Sequence, residues 1–220
     1  MHAATLPTIL LTGFEPFDGA SVNASWEAVC RLDGANLGGH RVVSRCLPTV
    51  FDKADGELEA ALVELDPVAV IAVGQADGRD RVSLERVAIN LVDARIADND
   101  GAQPVDRPVL PGGPAAHFST LPLKPMLAAL HAANIPAELS CTAGTFVCNH
   151  LFYMLCHALR VRPEVPAGFV HVPLLDSQAA GHPGMPSMSC QMLVEALVVL
   201  VRAVIDPPPV PPGMSTGREN

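Results

Sequence analysis

Val-Ala-Val-Ile-Ala-Val, residues 68–73, is the stretch on which the reading of the fold turns. Six consecutive apolar side chains leave neither face of a strand for water, so this strand needs cover on both sides. Shorter runs rich in β-branched residues at 9–12, 41–46, 87–92, 137–142 and 169–172 read as further strands. Between them lie apolar residues at helical spacing: Phe51, Ala54, Leu58, Leu62 and Leu65, then Leu123, Met126, Leu127, Leu130 and Ala133. Thr49 and Thr120 precede these two helices as expected N-caps. Strands alternating with helices predict parallel pairing. The expected fold class is α/β: a single-domain α/β/α sandwich around an open twisted, mostly parallel sheet, spanning residues 1–205. Residues 206–220, with Pro207-Pro208-Pro209 and Pro211-Pro212, cannot hold a helix and are expected to form a disordered tail.

The whole chain has 220 residues, 49% hydrophobic and 17% charged, which suits one packed core and argues against extended disorder. A net charge of −9 repels phosphate backbones and anionic lipid, and the 14 Lys and Arg residues form no stripe. Neither a nucleic acid nor a membrane is an expected partner. No secretory leader is legible at the N-terminus, so the six cysteines are read as reduced thiols of a cytoplasmic protein. Zinc is disfavoured because no Cys-x-x-Cys or His-x-x-x-His pair occurs. Asp98-Asn99-Asp100-Gly101 lacks the alternating acidic spacing and closing Glu of a calcium loop and reads as a turn. It sits in a long loop, 93–119, whose length suggests a flap or packing surface.

In open α/β sheets ligands gather at the carboxyl ends of strands. That rule selects residues 13–19, 74–79, 143–150 and the stretch from His171 onward. In Ala-Glu-Leu-Ser-Cys-Thr-Ala-Gly-Thr-Phe-Val-Cys-Asn-His (137–150) a strand turns through Ala143-Gly144 into a helix, with Cys148 in its first turn. Unpaired N–H groups and the positive end of the helix dipole favour a thiolate there and could also serve an oxyanion. Read alone, the position fits a packed core thiol better, because free cysteine is usually buried. His171, in the apolar run 168–175, is a candidate base or a hydrogen-bonded core histidine. Glu85 stands just before the 87–92 run. It reads as an orienting carboxylate or as a surface group paired with Arg81 or Arg86.

Four blocks then carry a resemblance. They are Leu-Thr-Gly-Phe-Glu-Pro-Phe-Asp-Gly (11–19) with Asn23 and Ser25-Trp26-Glu27; Val-Gly-Gln-Ala (73–76) with Glu85-Arg86-Val-Ala-Ile-Asn (85–90) and Asp-Ala-Arg-Ile (93–96); Thr-Ala-Gly-Thr-Phe-Val-Cys-Asn-His (142–150); and Gly-Phe-Val-His-Val-Pro (168–173) with Pro-Ser-Met-Ser (186–189). In this order and spacing the chain resembles the pyrrolidone carboxyl peptidases, or type I pyroglutamyl peptidases. The resemblance implies a cysteine omega-peptidase that removes N-terminal pyroglutamate from peptides, with Cys148, His171 and Glu85 as its triad. It implies a homo-oligomer, commonly a tetramer, with no metal or organic cofactor. It also places Arg95 near the oxyanion and Phe14, Phe17, Phe146 and Gln75 around the lactam ring, Gln75 through its backbone. Cys141, Ala24 and Leu174 depart from residues frequent in the family, and the Pro-rich tail lies outside the likeness. Two other readings stay open at this level: a non-catalytic binder of pyroglutamyl or other lactam groups, and a nucleoside phosphorylase-like enzyme on fold analogy alone.

Overall fold

The computed structural model describes residues 6–216; His2 and the last four residues of the tail lie outside the described residues. Along the chain run β1 (Thr8–Phe14), α1 (Ala24–Val29), β2 (Asn36–Leu37), β3 (His40–Leu47), α2 (Phe51–Leu65), β4 (Ala69–Gln75), β5 (Val82–Glu85), β6 (Val87–Ile89) and β7 (Ala116–Phe118). There follow α3 (Leu123–Ala132), β8 (Ala137–Ser140), α4 (Val147–Leu159), β9 (Ala167–Val172), β10 (Leu174–Leu175), α5 (Asp176–Ala179), β11 (Ser187–Met188) and α6 (Cys190–Ile205). Seven strands form the central sheet in the order β2-β3-β1-β4-β9-β5-β8. Pairing is parallel except at β2 with β3 and β5 with β9. The fold is the expected α/β sandwich.

Strand periodicity divides the core in two. Ile9, Leu11, Ala69, Ile71, Val73, Val170 and Val172 pack with α1, α3 and α6 on one face. Leu10, Phe14, Val70, Ala72, Ala167 and Phe169 pack with α2 and α4 on the other. Every residue of β4 is buried, as its unbroken apolar run demands. The same alternation sets the site. Val82 and Leu84 of β5 face the α1/α3/α6 side, so Ser83 and Glu85 face α4, and so does His171, between Val170 and Val172.

The run expected as one strand at 87–92 is divided: only β6 is extended, and it pairs with β7 in a separate ribbon. The main-sheet strand lies just before it, at Val82–Glu85. Its polar residues at alternate positions hid it: Ser83 Oγ donates to Glu138 Oε1 at 3.2 Å, and Glu85 meets His171. Glu85 is therefore within a strand and fully buried, not a surface group. Neither expected helix cap holds. Helix α2 starts after Val50, and the N–H of Phe51 donates to Asp98 Oδ2 at 3.2 Å. Thr49 instead donates through Oγ1 to the carbonyl of Glu15. Helix α3 follows Pro122, while Thr120 hydrogen-bonds the backbone of Ala167. The turn at 98–101 is closed by Asp98 Oδ1, which accepts from the N–H groups of Asp100 and Ala102. The prolines keep 206–216 free of helix as expected, yet this segment is seated on the body: Met214 packs on the core, and Thr216 Oγ1 accepts from Arg86 Nη2 at 3.3 Å. Among the described residues no helix is long and apolar enough to cross a membrane.

Candidate active site

At the carboxyl ends of β1, β4 and β9 a cavity of about 150 Å³ opens, lined by Phe14, Phe17, Asn23, Thr49, Gln75, Ala143, Phe146, Val147, Cys148 and His171. A volume of this order accommodates one small ring. Phe14 is buried at the end of β1, in van der Waals reach of Phe169 (ring centroids 6.3 Å apart). Phe17 and Phe146 face each other at 6.4 Å. Behind Phe146, Phe51 stands edge-on at 5.4 Å and is itself backed by His150, whose Nε2 lies 2.7 Å from Asp55 Oδ2. The aromatic wall is thus fixed by a second layer of packing.

Cys148 occupies the first turn of α4 and is partly open to the cavity. Gly74 makes room for it: a Cβ there would lie 2.8 Å from the Cys148 Sγ. Gly74 is the cross-strand partner of His171 in parallel register, so the two project to the same face. The sulfur thus lies close to the backbone of β4, and Cys148 and His171 line the same cavity. His171 Nδ1 donates to Glu85 Oε1 at 2.8 Å, which leaves Nε2 as the free lone pair on the cavity side. Glu85 Oε1 also meets Arg79 Nη1 at 3.0 Å.

Burial pushes the Cys148 thiol up to about 12, and the Glu85 carboxylate adds to the rise; Arg79 and the backbone N–H of Cys148 oppose it. His171 is moved below its ordinary value, first by burial and then by Arg79, against the upward pull of Glu85. The position expected from the sequence, at a helix N-terminus, is where the thiol sits, but desolvation outweighs the helix end. Both shifts favour the neutral thiol and the neutral imidazole over the ion pair. No side chain among the described residues caps α4, so its first-turn N–H groups face the cavity end of the helix without a local acceptor.

The side chain of Gln75 is held in a network. Its Oε1 accepts from the Ala24 N–H and from Gln178 Nε2, and its Nε2 donates to Asp77 Oδ1, each at 2.9 Å. Its side-chain carbonyl oxygen is thereby occupied by protein donors. Arg95, expected near the oxyanion, is exposed and not among the cavity-lining residues. The arginine that touches the site is Arg79, within the 74–79 stretch that the strand-end rule had selected. No sequence signal set it apart from Arg81 and Arg86. Thr49 was read as a cap and is instead a cavity wall. Cys141, expected in a strand, is exposed in the bend beyond β8. All six cysteines are free. The competing histidines are engaged elsewhere: His150 with Asp55, His117 with His157, and His40, His131 and His182 with backbone carbonyls. Among the described residues no group of three or more potential metal ligands occurs.

Comparison with known proteins places this geometry in context. The family model described as "Pyroglutamyl peptidase" matches residues 7–207. The pyrrolidone-carboxylate peptidase of Escherichia fergusonii is 56% identical over 87% of this chain and 90% of its own length. The pyrrolidone-carboxylate peptidase 1 of Ralstonia nicotianae is 52% identical over 91% and 94%. Among solved structures, pyroglutamyl peptidase I of Bacillus amyloliquefaciens superposes with a TM-score of 0.87 at 45% identity, covering 90% of this chain and 96% of the other.

Proposed function

The chain belongs to the pyroglutamyl peptidase family of cysteine hydrolases, and from that premise we propose that Cys148, His171 and Glu85 carry the removal of pyroglutamate from peptide N-termini. The observation that supports it is a single ring-sized cavity lined both by Phe14, Phe17 and Phe146 and by Cys148 and His171.

As Sγ of Cys148 attacks the pyroglutamyl carbonyl, its proton passes to Nε2 of His171. Proton transfer accompanies attack because both groups favour their neutral forms. The oxyanion is met by N–H groups of the first turn of α4. Glu85 holds the imidazole by Nδ1 and stabilises its charged form. The imidazolium then gives its proton to the leaving amine as the C–N bond breaks, leaving a thioester. Water, losing a proton to His171, hydrolyses the thioester and restores the thiol. No metal or organic cofactor is needed for any of these steps.

The lactam ring lies between the phenylalanine faces, with its polar edge on the backbone at Gln75. A charged N-terminal amine would lose its hydration in that slot without a counter-charge, at a cost of roughly several kcal/mol. Ordinary N-termini are rejected for this reason. The family likeness supports two further parts of the reading: a homo-oligomer, taken as a tetramer, and work in the cytoplasm, where free thiols stay reduced. Light scattering at working concentration and cell fractionation test them; a monomer or an exported product would remove each.

The decisive experiment is turnover of a pyroglutamyl-fluorophore amide. Wild type should release the fluorophore and Cys148→Ser should not, while a pyroglutamyl aldehyde protects Cys148 from alkylation. A Cys148→Ser protein as active as wild type would overturn the mechanism. Binding without turnover by wild type would make the protein a lactam binder instead.

A further inference from the structure

We infer that Arg79 is a positioning residue of the reaction, its guanidinium tying the carboxylate that orients the base to the bend that carries the nucleophile. This rests on the reading of Cys148, His171 and Glu85 given above. Arg79 Nη1 lies 3.0 Å from Glu85 Oε1, and its Nη2 donates to the carbonyl of Thr142 at 2.9 Å. Thr142 belongs to the turn between β8 and α4, and Arg79 to the loop after β4, whose Gly74 abuts the sulfur. One planar side chain thus bridges β5, the β4 loop and the nucleophile bend, a geometry that the fixed fork of a guanidinium fits better than the point charge of an ammonium.

Glu85 depends on it. The carboxylate is fully buried, and among the described residues its Oε2 has no hydrogen-bond partner, so both of its contacts fall on Oε1. Without Arg79 the carboxylate would keep a single donor, His171, and could rotate about that bond. Buried carboxylates left with too few donors are costly and poorly oriented. The charged groups that act on both His171 and Cys148 are Glu85 from β5 and Arg79 from the β4 loop. Arg79 opposes protonation of the imidazole and favours the thiolate. It therefore works against the carboxylate in sign on the base while holding that carboxylate in place.

The test is a series on the full-length protein, Arg79→Gln, Arg79→Lys, Glu85→Gln and the Arg79→Gln/Glu85→Gln double variant, with Cys148→Ser as the control on the triad. Arg79→Gln should lower kcat about tenfold to a hundredfold, with less change in KM. Its acid limb of kcat/KM should move to higher pH, because the imidazolium is no longer repelled, and alkylation of Cys148 by iodoacetamide at fixed pH should slow, because the thiolate loses its cation. A tie that merely held the bend closed would leave the limb in place and speed alkylation. Arg79→Lys keeps the charge, so its limb stays near wild type while kcat falls in part. In the Glu85→Gln background, replacing Arg79 should cost much less than in wild type. Where Arg79→Gln does not fold, Arg79→Lys carries the test: an unchanged kcat there overturns the inference. An unmoved acid limb with faster alkylation, or an equal loss in both backgrounds, overturns the inference. An active Cys148→Ser overturns the triad reading instead.

Discussion

The Cβ that Gly74 lacks would stand 2.8 Å from Cys148 Sγ and 2.8 Å from Phe169 Cζ. The contact seats the Cys148 sulfur against the strand that neighbours β9, where Gly74 and His171 are in register. Glycine is needed there for close approach, not for an unusual backbone angle.

Gly74→Ala should therefore act on chemistry first. The methyl group displaces the sulfur from the imidazole, and kcat should fall on the order of a hundredfold. Overpacking against Phe169 should cost about 1–3 kcal/mol of stability. Steady-state kinetics and denaturant unfolding check both. A folded variant with wild-type kcat would contradict the contact.

The pH dependence follows from the shifts that favour the neutral pair. His171 sits below its ordinary value, so the base stays unprotonated at pH values where a free imidazole would titrate, and the acid limb of kcat/KM should lie below about 6.5. Glu85→Gln removes the charge that raises His171, so the limb should move lower still while kcat falls. With the thiol pushed up to about 12, alkylation of Cys148 should keep rising with pH through 9. A plateau in alkylation near neutrality would reveal a preformed thiolate and contradict this account.

Phe146→Ala should act on binding. The ring faces Phe17 and rests edge-on against Phe51, so its loss opens one wall of the slot. KM for a pyroglutamyl amide should rise about tenfold, in line with about 1–1.5 kcal/mol for an aromatic contact, with a smaller change in kcat. A change confined to kcat would place Phe146 outside the ring contact.

Asp98→Ala should act on stability. Asp98 is buried, caps α2 through Phe51 and closes its own turn. Loss of a cap of this kind costs about 1–2 kcal/mol. Because Phe51 backs Phe146, a modest rise in KM should accompany the lowered unfolding midpoint. Unchanged stability would show that the cap is dispensable.

Much of the fold was legible because it rests on local patterns. The apolar run at 68–73 demanded helices on both faces, and β4 is covered on both. Strand β5 escaped because Ser83 and Glu85 break its apolar pattern, each held by a distant partner, Glu138 and His171. The site was legible in part. Phe14, Phe17, Phe146, Gln75, Cys148 and His171 all line one cavity; Cys148 and His171 were candidates from their places at strand ends, whereas the three phenylalanines and Gln75 were singled out by resemblance. Arg95 was expected near the oxyanion and is exposed, outside the residues that line the cavity. Arg79 was not expected and touches Glu85.

What the sequence by itself determined was the kind of fold, the strand ends at which chemistry gathers and the family of the chain, because periodicity and short motifs are properties of neighbours along the chain. The tertiary structure decided the partners: Asp98 capping a helix 47 residues away, Arg79 rather than Arg81 or Arg86 beside Glu85, and Glu85 against His171 across 86 residues. It also decided the burial that pushes the Cys148 thiol up. Partner choice and desolvation depend on register and burial, which arise only when distant segments pack together.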